Sequence, residues 1–131
     1  MKWIFGDIKS FSKNIGKISD LKISSEDYAS IIGNTKKNIA FNLCINYFSK
    51  INRRQILVEG KDISIKIDLI KNSYLSIKKG KKFLSNLKNL DLNSTYKLQL
   101  KNFLNNKKSE ICTYREAYEI IKTINLIKKL K

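Results

Sequence analysis

The strongest constraint on the fold is an alternation of apolar and polar side chains that recurs along the first two thirds of the chain. Successive side chains of a strand point to opposite faces of a sheet, so a period of two is typical of a half-buried strand. Short polar segments separate these runs, and strands joined by such turns pair as antiparallel hairpins. The predicted strands cover 7–13, 28–33, 39–48, 54–59, 63–68 and 74–77.

Three features of these strands carry more specific expectations. The third strand places four large side chains on one face, namely Phe41, Leu43, Ile45 and Tyr47. Cys44 lies within the same strand, where a free cysteine usually acts as a small hydrophobic residue. Gly60 begins the turn before residue 63, and it is expected to take the positive φ of a tight turn.

Beyond residue 94 the period of the apolar residues becomes helical. The spacing predicts a helix over 95–105, with Ser94 or Asn93 as its N-cap. Thr113 and Glu116 have the T-x-x-E spacing of a capping box, which predicts a second helix start. The apolar stripe and the basic end of that second helix consist of Ala117, Ile120, Ile121, Ile124 and Ile127, and of Lys128, Lys129 and Lys131.

These patterns predict an α+β fold, a largely antiparallel open-faced β-sheet with the C-terminal helices packed on one face. A length of 131 residues without an obvious linker indicates a single domain over 1–131. No apolar run approaches the roughly 18 residues of a membrane span, and no export signal precedes Asp7. With only Cys44 and Cys112 as thiols, we expect a soluble cytoplasmic protein.

The absence of histidine removes most acid–base, nucleophilic and zinc chemistry. Neither a G-x-G-x-x-G nor a G-x-x-x-x-G-K-[ST] motif occurs, so no nucleotide-binding loop is predicted. The neighbouring acids Glu26 and Asp27, like Glu116 and Glu119, are weak candidates for a catalytic dyad, because adjacency alone does not make polar groups converge. The residues therefore predict no catalytic, cofactor-binding or metal site.

The net positive charge is open to two interpretations. The chain holds 27 Lys and Arg against 11 Asp and Glu, which is compatible with nucleic-acid binding. However, only three of the basic residues are Arg, the side chain that best recognises bases and phosphates. Lys, Ile and Asn, all with codons rich in A and T, supply 59 residues. A solvated basic surface is therefore favoured over a nucleic-acid partner.

Arg53 and Arg54, with the nearby Tyr47, form the most suggestive candidate binding site. Guanidinium groups bind phosphate or carboxylate through two parallel hydrogen bonds. An arginine pair at the start of a strand is also common on a solvated sheet edge. Tyr47, Arg53 and Arg54 are our candidate substrate-binding residues.

Five segments, in order, resemble the C-terminal domain of the Gfo/Idh/MocA (glucose–fructose oxidoreductase/inositol dehydrogenase) family. They resemble its W-L-F-G-E-V segment, its D-x-A-x-x strand, its R-x-x-x-I-x-G…G-x-x-x-x-D hairpin, its N-x-x-Y-x-x-x-L-x-x-F-L helix and its closing helix after D-G-x-E-A. The segments in this chain are Trp3–Phe11, Glu26–Ile31, Arg53–Gly60 with Ile65–Asp68, Asn93–Leu104 and Thr113–Lys129. One departure is Asp62, which stands at the family's usual tight-turn glycine.

The resemblance implies a substrate-binding and dimerisation domain of an NAD(P)-dependent sugar or nucleotide-sugar oxidoreductase, inactive alone. In that family a Rossmann domain binds NAD or NADP, and a Lys, Asp and His act in catalysis; counting back places the Asp and His before Met1. The implied partners are a second copy, through the open sheet face, and a separate Rossmann chain that would complete a split sugar dehydrogenase. A small basic nucleic-acid-binding module is the remaining alternative.

Overall fold

The computed structural model describes residues 2–86, 91–107 and 111–129. Its contacts divide the chain into two compact units, the first formed by Met1–Ser49 with Cys112–Lys131 and the second by Lys50–Ile111. The elements are α1 (Lys2–Phe5), β1 (Ile8–Gly16), β2 (Tyr28–Thr35), β3 (Ala40–Asn46), β4 (Gln55–Gly60), β5 (Ile63–Asp68), β6 (Ser73–Lys78), β7 (Lys81–Asn86), α2 (Leu92–Leu104) and α3 (Tyr114–Lys129).

The first unit contains a three-stranded antiparallel sheet in the order β1-β2-β3. The predicted hairpin between the second and third strands is confirmed, and Thr35 closes its turn. The Thr35 amide donates to the Ile39 carbonyl at 3.0 Å, and the Ile39 amide donates to Thr35 Oγ1 at 3.2 Å. Asn38 takes the left-handed conformation with φ 58°, which an Asn tolerates better than most residues.

The register of this sheet separates an apolar face from a polar one. Ile31 lies opposite Leu43, and Ile45 lies opposite Ala29, on the face that α3 packs against. Ile31 and Ile127 are the two hydrophobic residues buried most deeply in the described part of the chain, each 7% exposed. The opposite face is mainly polar, and it carries Ser12, Asn14, Ser30, Asn42 and Cys44, together with Ile32, which is 58% exposed. The expectation that Cys44 packs as a hydrophobic residue is wrong, because its thiol is exposed on this polar face.

Gly33 of β2 lies opposite Phe11 of β1, where a larger residue has no room. A Cβ atom at this position would lie 2.2 Å from the Ser10 carbonyl oxygen and 2.9 Å from Phe11 Cβ. The pairing also shifts register between Ile8 and Ser10, which is the mark of a β-bulge. The glycine therefore lets the bulged strand reach its neighbour.

The second unit is a four-stranded antiparallel meander in the order β4-β5-β6-β7. The turn between β6 and β7 has positive φ at Lys79 (47°) and Gly80 (75°), as a type I′ hairpin turn requires. The predicted positive φ at Gly60 is wrong, because Gly60 is still the last strand residue and pairs with Ile63. β7 was not predicted, since its Lys-Lys-Phe-Leu-Ser-Asn sequence does not alternate.

The two long helices begin with different side-chain caps. Asp91 caps α2, so neither Asn93 nor Ser94 is the N-cap, and the helix begins three residues earlier than predicted. The capping box of α3 is confirmed. Glu116 accepts from the Thr113 amide at 2.7 Å, and the Glu116 amide donates to Thr113 Oγ1 at 3.3 Å. Lys131, predicted at the basic end, lies outside the described residues.

The predicted α+β class and the antiparallel pairing are confirmed, but the strands form two sheets, of three and four strands, where the sequence suggested one. The single domain over 1–131 stays a prediction. No helix in the described ranges combines the length and the apolar character that a membrane crossing requires.

Candidate functional site

The second unit holds an open cleft of about 910 Å³. Its walls are formed by β5, the start of β6, the loop that joins these strands, Arg54 before β4, and the start of α2. The cleft has an apolar floor, in which Ile65 and Ile67 of β5 lie beside Tyr74 of β6. The other residues that line it are Arg54, Asp68, Leu69, Ile70, Asn72, Ser73, Asp91 and Thr95.

Asp68 organises the loop on one side of this cleft. Its Oδ1 accepts hydrogen bonds from the backbone amides of Ile70 at 3.1 Å and Lys71 at 2.9 Å, and its Oδ2 accepts from Gln55 Nε2 at 3.1 Å. The Lys71 amide and then the Gln55 side chain lower the pKa of Asp68, because they hydrogen-bond to its charged form. The carboxylate is therefore ionised at neutral pH.

Asp91 presents a second carboxylate to the same cleft, at the start of α2. Its Oδ1 accepts from the Ser94 amide at 2.6 Å, and the Thr95 amide donates to the Asp91 carbonyl at 3.2 Å. Hydrogen bonds from Ser94, first from its side chain and then from its amide, lower the pKa of Asp91. This carboxylate is also ionised at neutral pH.

Arg54, the residue immediately before β4, lines the cleft. Its backbone carbonyl accepts from the Leu69 amide at 2.9 Å, which ties Arg54 to the same loop that Asp68 organises. Two anionic acceptors and a five-donor guanidinium thus border an apolar floor. Such a mixture suits a polyhydroxylated ligand, whose hydroxyls hydrogen-bond to the rim while its C–H face rests on isoleucine and tyrosine.

The first unit holds a separate groove of about 640 Å³ between its sheet and α3. Its walls are mainly apolar: Phe41, Leu43, Ile45 and Tyr47 come from the third strand and its end, and Ile120, Ile124 and Ile127 come from α3. The predicted shared face of the third strand is thus confirmed. Of the stripe predicted on α3, Ala117 and Ile121 do not line the groove, and both are exposed.

Asp27, one of the buried polar residues, lies at the wall of this groove with 1% exposure. It accepts hydrogen bonds from the Ile18 amide at 2.7 Å, the Ser19 amide at 3.1 Å and the Ser19 hydroxyl, with Lys17 Nζ at 3.7 Å. The Ser19 hydroxyl is the largest of the influences that lower the pKa of Asp27. Asp27 is thus an ionised anchor for the β1–β2 connection.

Glu26 binds elsewhere, so the two adjacent acids do not act together. Its Oε2 accepts from Lys128 Nζ at 2.9 Å, and this hydrogen bond is the main cause of the lowered pKa of Glu26. Lys13 donates from β1 to the backbone carbonyl of Lys128 at 2.8 Å, and so satisfies a carbonyl of the last turn of α3. These contacts join α3 to the sheet.

The three predicted site residues have different surroundings. Arg54 lines the cleft of the second unit, Tyr47 lines the groove of the first unit with 74% exposure, and Arg53 lines neither. The sequence analysis missed Asp68, Asp91 and Thr95. The signals for them were an acid at the end of an alternating strand and the D-x-N-S-T sequence before a helix.

No family model, curated protein or solved structure matches the chain. Within residues 2–86, 91–107 and 111–129, no three Cys, Asp or Glu side chains come together as a metal site would require.

Proposed function

We propose that this chain is the substrate-binding and dimerisation domain of an NAD(P)-dependent sugar or nucleotide-sugar oxidoreductase, inactive alone, whose dinucleotide-binding part lies outside these 131 residues. The observation that carries the proposal is the order of the five resembling segments. They fall in chain order on the end of α1 with β1, the start of β2, the β4–β5 hairpin, α2 and α3, whereas β3, β6 and β7 carry no resembling segment.

The chemistry of the cleft supports a binding role. A general acid needs a pKa near the working pH, but hydrogen bonds lower the pKa of both Asp68 and Asp91. The sequence offers no histidine to take their place. Hydride transfer and proton removal are therefore assigned to a separate dinucleotide-binding part. Arg54, which lines the cleft, is assigned to substrate contact, and Tyr47 and Arg53 stay predicted contacts that lie outside it.

The exposed surface supports completion by other chains. One open row crosses the four-stranded sheet, with Leu57 65% and Leu84 62% exposed, and we assign it to the homodimer contact.

Calorimetric titration of the purified chain with NADH and NADPH tests directly whether the cofactor site lies outside these residues. We expect no heat of binding from either cofactor up to millimolar concentration. Saturable binding in the micromolar range would contradict the proposal, because the cofactor site would then lie within these residues.

Substrate contact is tested after co-expression with an adjoining reading frame that encodes a dinucleotide fold ending in H-x-x-D. In the active complex, Arg54→Ala is expected to raise KM for the sugar about tenfold with little change in kcat, because the lost hydrogen bonds are made equally in ground and transition states. Arg53→Ala and Tyr47→Ala test the other two assignments.

Arg115→Ala, on the exposed side of α3, is the matched control and should leave both constants unchanged. If Arg54→Ala, Arg53→Ala and Tyr47→Ala all behave like this control, the substrate-binding role is wrong. If no NAD(P)-dependent sugar oxidation is obtained from a complex that forms, the assignment to this class of enzyme is wrong.

A further inference from the structure

The outer strand of the four-stranded sheet, β7, combines an open edge with two lysines and two exposed apolar side chains. It is an edge strand, because within the described residues it pairs only with β6. Its first two residues are Lys81 and Lys82, and its next two, Phe83 and Leu84, are 57% and 62% exposed. An exposed apolar edge strand ordinarily invites pairing with another chain.

The hairpin turn adds further positive charge beside this edge. Lys78 lies directly opposite Lys81, and Lys79 occupies the turn. Like charges directly opposite each other destabilise a hairpin. The neighbouring turn packs alongside, since the Lys79 amide donates to the Asp62 carbonyl at 3.1 Å. The cluster of lysines at this end is thus in place to receive negative charge.

Among the residues that the structure describes, the backbone of β7 has a regular set of groups without a strand partner. In a two-residue hairpin the residues that flank the turn form a hydrogen-bonded pair, and such pairs alternate with non-bonded ones. With Lys78 and Lys81 as the first pair, the amides and carbonyls of Lys82 and Leu84 point away from β6. These are the groups that an added strand would bind.

We propose that β7 is a docking edge for an extended acidic segment of a partner protein, which adds antiparallel as a fifth strand. Its acidic residues would lie opposite Lys81 and Lys82, and its apolar residues opposite Phe83 and Leu84. The inference does not depend on the oxidoreductase assignment, because it uses only the edge, its charge and its exposed apolar side chains.

A protein strand fits this edge better than a nucleic acid does. Phosphates would use the lysines but would leave Leu84 and the outward backbone groups of β7 unbound. The hairpin also lacks arginine, whose planar fork is the usual donor to phosphates and bases. A strand uses charge, apolar surface and backbone together.

The test is binding of a fluorescent ten-residue peptide that carries two valines followed by two glutamates, measured by anisotropy with the full chain. We expect saturable, sub-millimolar binding that weakens as NaCl is raised, because the ion pairs are exposed. A peptide with lysines in place of the glutamates should not bind. A single-stranded RNA of the same length serves as the competing polyanion.

Two sets of variants separate charge from backbone pairing. Lys81→Glu with Lys82→Glu should weaken the acidic peptide at least about tenfold, whereas Lys22→Glu with Lys50→Glu, the same change in net charge elsewhere, should change it less than about twofold. Leu84→Pro removes one outward amide and leaves the bonds to β6 intact, so it should weaken binding more than Leu84→Ala does. Circular dichroism confirms that each variant is folded.

Four results would overturn the inference: no binding of the acidic peptide at low salt, equal binding of the lysine peptide, tighter binding of the RNA, or equal binding by folded Leu84→Pro and Leu84→Ala variants. The first would mean that the lysines only keep β7 from pairing, and the third that the hairpin is a polyanion site.

Discussion

The two units of the chain are stabilised by contacts of different range. In the first unit, α3 is joined to the sheet by residues far apart in sequence: Lys13 and Lys128 are separated by 115 positions, and Glu26 and Lys128 by 102. In the second unit every strand pairs with the next one along the chain. Pairing between neighbouring strands closes short loops, which costs little conformational entropy. Joining α3 to the sheet of the first unit closes a much longer loop and costs more.

The same difference in contact range distinguishes the groove of the first unit from the cleft of the second. The groove of the first unit exists only when the end of α3 returns to β1–β3, and the buried Asp27 holds the connection beside it. The cleft of the second unit is lined by Arg54, by β5 and β6 with the loop that joins them, and by the start of α2. We therefore expect substitutions that disturb strand approach or buried polar contacts to act most strongly in the first unit.

The largest expected effect comes from Gly33→Ala. The new Cβ would meet the Ser10 carbonyl and Phe11, both parts of β1 that cannot move without breaking strand pairing. We expect the free energy of unfolding to fall by about 1–3 kcal/mol, as for other overpacked sites. Urea unfolding followed by circular dichroism measures this change.

Gly16→Ala in the same strand pair is the control, because no atom lies within 4 Å of its new Cβ. Hydrogen exchange should show the greatest loss of protection by Gly33→Ala in peptides from β1 and β2. Equal effects of the two glycine variants would mean that close strand approach does not limit the stability of the first unit.

The next effect is the pH dependence contributed by Asp27. Its pKa in the folded chain is below its ordinary value, chiefly because the Ser19 hydroxyl hydrogen-bonds to the carboxylate. The stabilisation is therefore complete above an unfolded pKa of about 3.9 and is lost as the pH falls through the lower folded value. Asp27→Asn should lower the urea midpoint at pH 7 and reduce its further decrease in acid.

Glu26→Gln is the matched control for Asp27→Asn. The Glu26 pKa is also lowered, but the ion pair with Lys128 is half exposed and screened by water. Its effect at pH 7 should be clearly smaller. If Glu26→Gln destabilises the chain more than Asp27→Asn does, the anchoring role of the buried carboxylate is wrong.

The same contrast explains what could be predicted from the sequence. The β4–β5 hairpin was predictable because alternation on both sides of a short turn is a local signal, although the turn proved one residue shorter than predicted, with Gly60 in β4. Thr113 with Glu116 predicted the start of α3 for the same local reason. The role of Asp27 was not predictable, since its donors Ile18 and Ser19 lie in the irregular connection after β1 and meet it only in the folded chain. Asp68 and Asp91 were missed because only folding brings them to one cleft.

A smaller effect is expected from the cap of α3. Thr113→Ala removes the hydroxyl that accepts from the Glu116 amide, and should lower the free energy of unfolding by about 1 kcal/mol. Thr113→Ser keeps the hydroxyl and is the control. Urea unfolding of the two variants decides whether the confirmed capping box stabilises α3, since equal midpoints would assign it no energetic role.

The smallest effect, and the only one expected to be stabilising, comes from Lys79→Asn in the β6–β7 turn. Lys79 holds φ at 47°, a conformation that asparagine adopts more readily than lysine, and Asn-Gly is the preferred type I′ turn sequence. The substitution also removes one charge beside Lys78 and Lys81. We expect the free energy of unfolding, measured in urea, to rise by about 0.5 kcal/mol, with increased hydrogen-exchange protection in β6 and β7.

Lys61→Asn removes the same charge from the neighbouring turn, where φ is not positive, and so separates the effect of charge from that of turn geometry. If both variants stabilise the chain equally, charge relief is the cause and turn geometry contributes nothing. If Lys79→Asn alone does so, the stability of the second unit depends on the local turns that made its strands predictable.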